Sequence, residues 1–517
     1  MAEEQNSTAL DIISAFKALN TRKARREAYY GILDLLDLNE WREVKECADA
    51  KSLTRDILGS LPVELVARIC RLLGLADIVA LQAVSKRWRE LLSSPVIYRT
   101  ALRSHGINGP YDQSSHQELH SAFVRYAQQR LRLELGRPCS EAFYPALLGR
   151  LGSENVVSYC NGRLLWADRD QDDGPFGVLL LSLTTGTLSR FFTDEREVPF
   201  HVAISDTAIA MISMRGDCYV ADFTTSEEGH FHLPSAGIYY FTLSGDRVAV
   251  ITRNSHLYFW DLKSKVTREF ELDVLPLCVA IHPTEDRFTT VHLEHDGVSC
   301  HSYHLHDTAV DGLVVAHYDI TEKTITRRQP AVVLQPFPEN TRASTMYRRV
   351  DSASCNIGVL HITQETQPDK ADLMWISYDP IVDKVSTRFV DKKSSDTFLG
   401  SFSGWRATHV ADDLVYYVSP HRDGWDEDAG PYILNLDTGL VHEPTEISIL
   451  HAERDLQELI INDDTPASWL DRPMNILLRT FGDSTFFGWA TQTGFKIYCF
   501  EENIGMSWAQ PARQQGQ

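Results

Sequence analysis

The residues in this chain that could do chemistry are gathered in a few short stretches. Between Val291 and Asp307 lie His292, His295, Cys300, His301, His304 and His306. These are zinc-ligand types, and His304 and His306 would share one face of a strand. Zinc needs about four convergent ligands at fixed distance, and this spacing matches no closed zinc signature. A polar outer strand and its loop is the reading retained. Two further stretches, Asp168 to Gly174 and Asp423 to Asp428, are acidic and contain Gly. A calcium loop sets oxygen ligands at regular intervals and closes on a bidentate Glu. Neither stretch does so, and both read as solvated inserts. Within the second, Trp425 is a large aromatic among charges, a candidate anchor for a bound partner unless it folds back onto its own sheet. A nucleophile elbow, an HExxH pair, a phosphate loop and a dinucleotide fingerprint are all missing from the sequence. Asp222, Asp261, Asp319 and Asp437 fall at matching places in recurring segments, so they read as acids that end strands rather than as a catalytic pair. No metal, no cofactor and no active site of its own are expected.

Composition narrows the class. The 517 residues are 43% hydrophobic and 23% charged, the balance of a globular protein with room for several domains. No basic start followed by an apolar run marks a signal peptide, and the most apolar run, Gly177 to Leu183, is too short to cross a bilayer. No membrane partner is expected. Nine Cys are scattered without a CxxC pair, which fits reduced thiols and a cytoplasmic or nuclear setting. The formal charge of -21 argues against nucleic acid as a partner. The charge is uneven. Residues 51–106 hold nine Lys or Arg against four Asp or Glu, which leaves -26 on the rest.

That basic stretch also carries three helix signals in series. Ser60 is placed to cap a first helix with Pro62 in its opening turn, and Leu65, Ile69, Leu72 and Leu73 form an apolar face. Gly74 stops it. Asp77 is placed to cap a second, whose face is Ile78, Leu81, Val84, Trp88 and Leu91, and Ser94-Pro95 starts a third with Ile97, Tyr98 and Leu102. A module this small has a thin core, so some of Leu61, Leu65, Ile78 and Leu81 should meet another surface.

The arrangement Leu61-Pro62, Glu64, Ile69, Leu73, Asp77, Leu81 and then Val84-Ser85-Lys86-Arg87-Trp88 resembles an F-box, over roughly a tenth of the chain. The resemblance implies that Leu61, Pro62, Leu65, Ile69, Ile78, Leu81 and Lys86 face a Skp1-like adaptor, which links to a cullin and a RING protein in a ubiquitin ligase. It implies that Leu73, Val84 and Trp88 hold the module's own core. The family's adaptor is acidic, which suits a basic module.

The remaining elements are expected as follows. Residues 1–50 form an N-terminal helical segment, with a basic run Arg22 to Arg26 that is either a solvated helix face or a nuclear-import patch. Asn39 is placed to cap its second helical piece, which either packs beside the F-box or forms a separate interaction element. Residues 51–106 are the F-box module, and 107–140 a helical link spanning Leu119 to Leu135 with Arg125, Arg130 and Arg132 on its wetter side. From about residue 155 the pattern turns to short apolar alternations between Gly, Asp, Asn, Ser and Pro. One kind of strand recurs seven times, at 178–183, 218–223, 257–262, 314–320, 373–378, 432–437 and 495–500. The expected fold is therefore multidomain: a small all-α module followed by an all-β propeller over 141–508, seven-bladed, with six or eight blades or a β-sandwich as alternatives. The unit from Ser244 to Trp260-Asp261-Leu262 resembles a WD40 repeat, which implies that the Trp fills space between blades. Residues 509–517 are expected to be a disordered tail. The function expected is non-catalytic. The F-box would hold the adaptor and the propeller an unknown protein target, making the chain the substrate receptor of a cullin-RING ligase. The alternative is a scaffold outside that system.

Overall fold

A computed structural model of the chain describes residues 12–506, apart from short gaps and the stretches 51–55, 149–155, 169–175, 193–197, 300–311, 364–370, 391–405, 419–430 and 448–478. The chain divides into two units, Met1–Val124 and Arg125–Gln517.

The first unit is all-α. After helical residues 12–18 come α1 (Arg22–Leu33) and α2 (Leu38–Ala50). Asp37, not Asn39, opens α2: its Oδ1 accepts from the amides of Asn39 and Glu40, while Glu40 Oε2 accepts from the Asp37 amide at 2.8 Å. That reciprocal pair satisfies two otherwise orphaned donors. The module itself is α3 (Val63–Cys70), α4 (Leu75–Leu81), α5 (Lys86–Leu92) and α6 (Pro95–Ser104). Pro62 stands at the start of α3, where its missing N–H costs nothing, and Ser60 lies in a preceding 3-10 turn instead of capping the helix. Gly74 opens α4, so Asp77 sits inside its first turn and not at the cap. Ser85 and Ser94 cap α5 and α6 by accepting from the amides of Trp88 and Ile97. The core is Val66, Cys70, Leu75, Ile78, Leu92, Ile97, Tyr98, Ala101 and Leu102. Tyr98 stacks on Phe123, with ring centroids 4.5 Å apart.

The second unit begins inside α7 (His116–Leu135) and continues as seven antiparallel sheets. The first strand, β1 (Ser140–Pro145), belongs to the last sheet. Sheet one is β2 (Val157–Cys160), β3 (Arg163–Asp168), β4 (Gly177–Ser182) and β5 (Leu188–Phe192). Sheet two is β6 (Pro199–Ile204), β7 (Ala208–Ser213), β8 (Asp217–Asp222) and β9 (Glu228–His232). Sheet three is β10 (Ile238–Ser244), β11 (Arg247–Thr252), β12 (His256–Asp261) and β13 (Thr267–Glu271). Sheet four is built on β14 (Cys278–Ile281), β15 (Arg287–His295), β17 (Gly312–Ile320) and β18 (Ile325–Arg327), with β16 (Val298–Ser299) and β19 (Val332–Pro336) added at the side. Sheet five is β20 (Thr341–Val350), β21 (Cys355–Thr363), β22 (Ala371–Asp379) and β23 (Lys384–Val390). Sheet six is β24 (Arg406–Ala411), β25 (Leu414–Val418), β26 (Pro431–Asn435) and β27 (Val441–His442). Sheet seven is β28 (Arg479–Gly482), β29 (Phe486–Thr491), β30 (Gly494–Cys499) and, paired to β30, β1.

The first strands of successive sheets, β2, β6, β10, β14, β20, β24 and β28, each touch the next, and β28 touches β2. A ring of seven sheets meeting through their inner strands is a seven-bladed propeller. The seven recurring sequence segments correspond to β4, β8, β12, β17, β22, β26 and β30, the third strand of every blade.

Blade-to-blade packing follows the alternation of these strands. Trp260 in β12 is 1% exposed and stacks at 5.2 Å on Phe231 of the preceding blade. Gly229 makes room for it, since a Cβ there would lie 2.7 Å from the indole. At the rim, Ser205 Oγ donates to the Gly245 carbonyl at 2.6 Å, Arg247 pairs with Asp286 at 2.7 Å, and Tyr159 donates to Asp483 at 2.6 Å. These bonds tie blade two to three, three to four, and seven to one.

Candidate functional site

The most informative surface lies on the helical module. On α3, Val66, Ala67 and Cys70 turn inward, while Leu65 (43% exposed) and Ile69 (38%) face outward four residues apart, and Leu72 (87%) is exposed in the turn just after the helix. Pro62 and Lys86 are exposed, and Leu61, Leu73 and Leu81 half-buried. Two residues differ in burial from what their expected places imply. Ile78, expected at the adaptor face, is fully buried in the module core, and Val84, expected in that core, is 61% exposed. The cause is local: α4 ends at Leu81 and α5 starts at Lys86, so Val84 lies in the turn between them and escapes the continuous periodicity that the sequence suggests.

Trp88 is half-buried, and its indole N–H donates to Asp56 Oδ1 at 2.7 Å, the same oxygen that accepts from the Gly59 amide. These hydrogen bonds, with Arg87 nearby, hold the Asp56 carboxyl below its ordinary range. A Cβ at Gly59 would fall 2.1 Å from the Asp56 carboxylate, so a larger residue there would have to displace the Asp56 side chain. Sequence reasoning missed Asp56. A lone acid 32 positions before a Trp leaves no periodic trace.

In the propeller, the acids thought to end strands divide. Asp222 and Asp261 do end β8 and β12 and accept amide hydrogens from the following turns. Asp319 is the last but one residue of β17 and binds Arg328 at 2.8 Å. Asp437 lies beyond β26, where Asn435 closes the strand and its Oδ1 accepts from the Asp437 amide. Of the His-rich stretch, His292 is buried in β15, and burial holds its pKa at about 4. Cys300, His301, His304 and His306 lie outside the described residues, as do Trp425 and its acidic loop. Among the described residues no group of three or more His, Cys, Asp or Glu could hold a metal ion, and no helix is long and apolar enough to cross a membrane.

The last half of α7 is a structural site that the sequence did not reveal. Arg130 pairs with Glu134 at 2.7 Å and with Asp413 at 2.5 Å. Gln129 donates to the Ser484 carbonyl, and Tyr416 donates its hydroxyl hydrogen to the Leu133 carbonyl. Leu133 joins the core formed by Tyr416, Phe487, Trp489 and Tyr498. Residues expected to be a link are thus part of the wall of blades six and seven.

Comparison with known proteins agrees with this division. Residues 58–104 match the family model described as F-box-like. Such domains are non-catalytic modules for protein interaction, and this chain therefore contains a protein-interaction module followed by a propeller. No curated protein matches the chain. Structures with a similar layout include a chain of a Mitotic Checkpoint Complex, at 11% identity over 70% of this chain and 94% of that one, with a TM-score of 0.38. The β-propeller domain of Cps50 (Swd1) from Myceliophteria thermophila is 9% identical over 68% and 98% (TM-score 0.37), and BamB from Moraxella catarrhalis 12% over 70% and 99% (TM-score 0.37). The propeller assignment rests on the ring of sheets, not on these likenesses.

Proposed function

We propose that this chain is the substrate-recognition subunit of a cullin-RING ubiquitin ligase. In this reading the F-box-like module holds a Skp1-like adaptor, and the propeller holds a protein to be modified. The observation that carries it is the outward stripe Leu65, Ile69 and Leu72 beside Leu61 and Pro62, inside the segment that matches the F-box-like family. Apolar side chains left in water at regular helical spacing mark a docking face. The nearby exposed Lys86, Arg87 and Arg89 suit an acidic partner and would act mainly on the association rate. The chain itself would contribute proximity and orientation, not bond-making.

The test is a pull-down and calorimetry with purified adaptor. Leu61→Ala combined with Pro62→Ala should weaken binding by about 2 kcal/mol or more, the scale of interface anchors, and leave the propeller folded. Trp88→Ala should instead lower the melting temperature of the module, because it breaks the tie to Asp56. Unchanged affinity in the double variant would remove the main support for this function. Recovery of adaptor from cells without cullin and RING subunits would favour the scaffold reading.

A further inference from the structure

Each blade of the propeller ends on an outer strand that has a neighbour on one side only. Proteins blunt such edges with charged side chains and proline, because an open edge accepts any passing strand. Several edges here are guarded in that way. β9 presents Glu228, His230 and His232, β13 presents Glu269 and Glu271, and β1 carries Glu141 and ends on Pro145, all of them exposed. β5 is the exception. Leu188 is 48% exposed and Phe192 52%, and among the described residues no other large apolar side chain within a strand lies so open.

The backbone of β5 is set to bond outward at the same positions. The Ser182 amide donates to the Thr187 carbonyl, and the register then runs from Leu181 opposite Leu188 to Gly177 opposite Phe192. Bonding alternates along an antiparallel ladder, so Ser189 and Phe191 bond β4, while Leu188, Arg190 and Phe192 turn N–H and C=O groups away from it. Those three side chains share one face of the sheet. Arg190 lays its guanidinium over the Phe192 ring, 5.0 Å from the centroid, which holds both side chains in place. We propose that β5 is a docking edge for an extended segment of another protein, which adds a strand to blade one. The segment carries apolar residues opposite Leu188 and Phe192 and an acidic residue opposite Arg190, at alternate positions, since directly opposed pairs decide which strands match. Main-chain bonds at three residues supply the attachment, and the positive charge between two apolar contacts supplies the choice. The proposal does not depend on the adaptor reading.

Selection from a library of random peptides on the immobilised full chain tests it, with affinities of the enriched peptides measured by fluorescence anisotropy. These peptides should show apolar, acidic and apolar residues at alternate positions. Leu188→Lys with Phe192→Lys, both at exposed positions, should weaken their binding at least tenfold without lowering the melting temperature. Arg190→Pro removes an outward N–H and leaves the ladder to β4 intact, so it should weaken binding as much. Because that variant could fold poorly, Arg190→Glu provides a second arm: it keeps the backbone and should turn the preference from acidic to basic peptides. Amide exchange at Leu188 and Phe192 should slow in the complex, while that at Ser189 and Phe191 stays as it was. A selection that enriches nothing, peptides that bind the double Lys variant as tightly as the parent, or a preference indifferent to Arg190→Glu would each overturn the proposal. A parent dimer that the two Lys changes dissolve would overturn it too, since a second copy would then occupy the edge.

Discussion

At the scale of residues, two buried histidines contribute to how this protein responds to acid. His201 and His292 are each held at a pKa of about 4 by burial, against about 6.5 in an unfolded chain. His201 is 4% exposed between the rings of Phe200 and Phe241. Below pH 6.5 the unfolded chain takes up protons that the folded chain refuses. The stability tied to these groups is therefore whole above about pH 6.5 and drains away as pH falls towards 4, by up to about 3 kcal/mol for each. Urea midpoints between pH 7 and 4.5 should fall steeply for the parent and less steeply for His201→Leu, and parallel slopes would show that His201 does not titrate as described. Residues of this kind are only partly legible from sequence. Trp260 and Trp88 announced themselves as large aromatics at motif positions. The inward face of α3 did not, since Leu65 and Ile69, with Leu72 just beyond the helix, make the more apolar stripe while the smaller Val66, Ala67 and Cys70 point into the core. Periodicity finds two stripes on such a helix and has no means of ranking them when a partner is absent from the pattern.

At the scale of elements, the turn after the third strand repeats in four blades. The carbonyls of Ser182, Asp222, Asp261 and Asn435 accept from the amides of Gly186, Ser226, Lys265 and Gly439, four residues on. Those four residues adopt left-handed backbone, with φ of 71°, 62°, 54° and 69°. Two are Gly, which adopts it freely, and two are not. An L-residue there costs about 1–2 kcal/mol. Lys265→Gly should therefore raise the free energy of unfolding in denaturant, by about 1 kcal/mol after the added freedom of the unfolded chain is subtracted. A neutral or destabilising result would mean that the Lys265 side chain contributes more than its backbone costs. The third strands and their acidic or hydroxyl ends were readable because they repeat. The last half of α7 was not, because its partners Asp413, Tyr416 and Ser484 lie hundreds of positions away, and Arg130 on a helix looks like a solvated charge until the carboxylates around it are known.

At the scale of the whole molecule, the ring stands on every blade being present. Removing residues 473–503 would delete β28, β29 and β30, leave β1 without a partner and expose the flanking faces of two blades. The product should lose near-ultraviolet dichroism and aggregate. A monomer with the parent's spectrum would contradict closure of the ring. The number of blades was legible from seven similar segments despite spacings that drift from about 40 to about 60 residues, since each copy had to keep a third strand that packs on both faces. Which residues of the propeller would hold a target was not legible, because a binding surface leaves no periodic trace.

The pairing of β1 with β30 has a consequence for how the protein is made. Ser140 sits opposite Cys499, so a strand leaving the ribosome waits for a partner that follows it roughly 360 residues later. At roughly 5–20 residues per second of translation, that wait is about 20–70 s. Throughout it, β1 presents an unpaired edge while the intervening blades accumulate beside it. Synthesis of this protein should therefore draw on chaperones that shelter open strands, and slowing the ribosome upstream of residue 494 should lengthen the nascent chain's exposure to aggregation more than the same pause placed before residue 140.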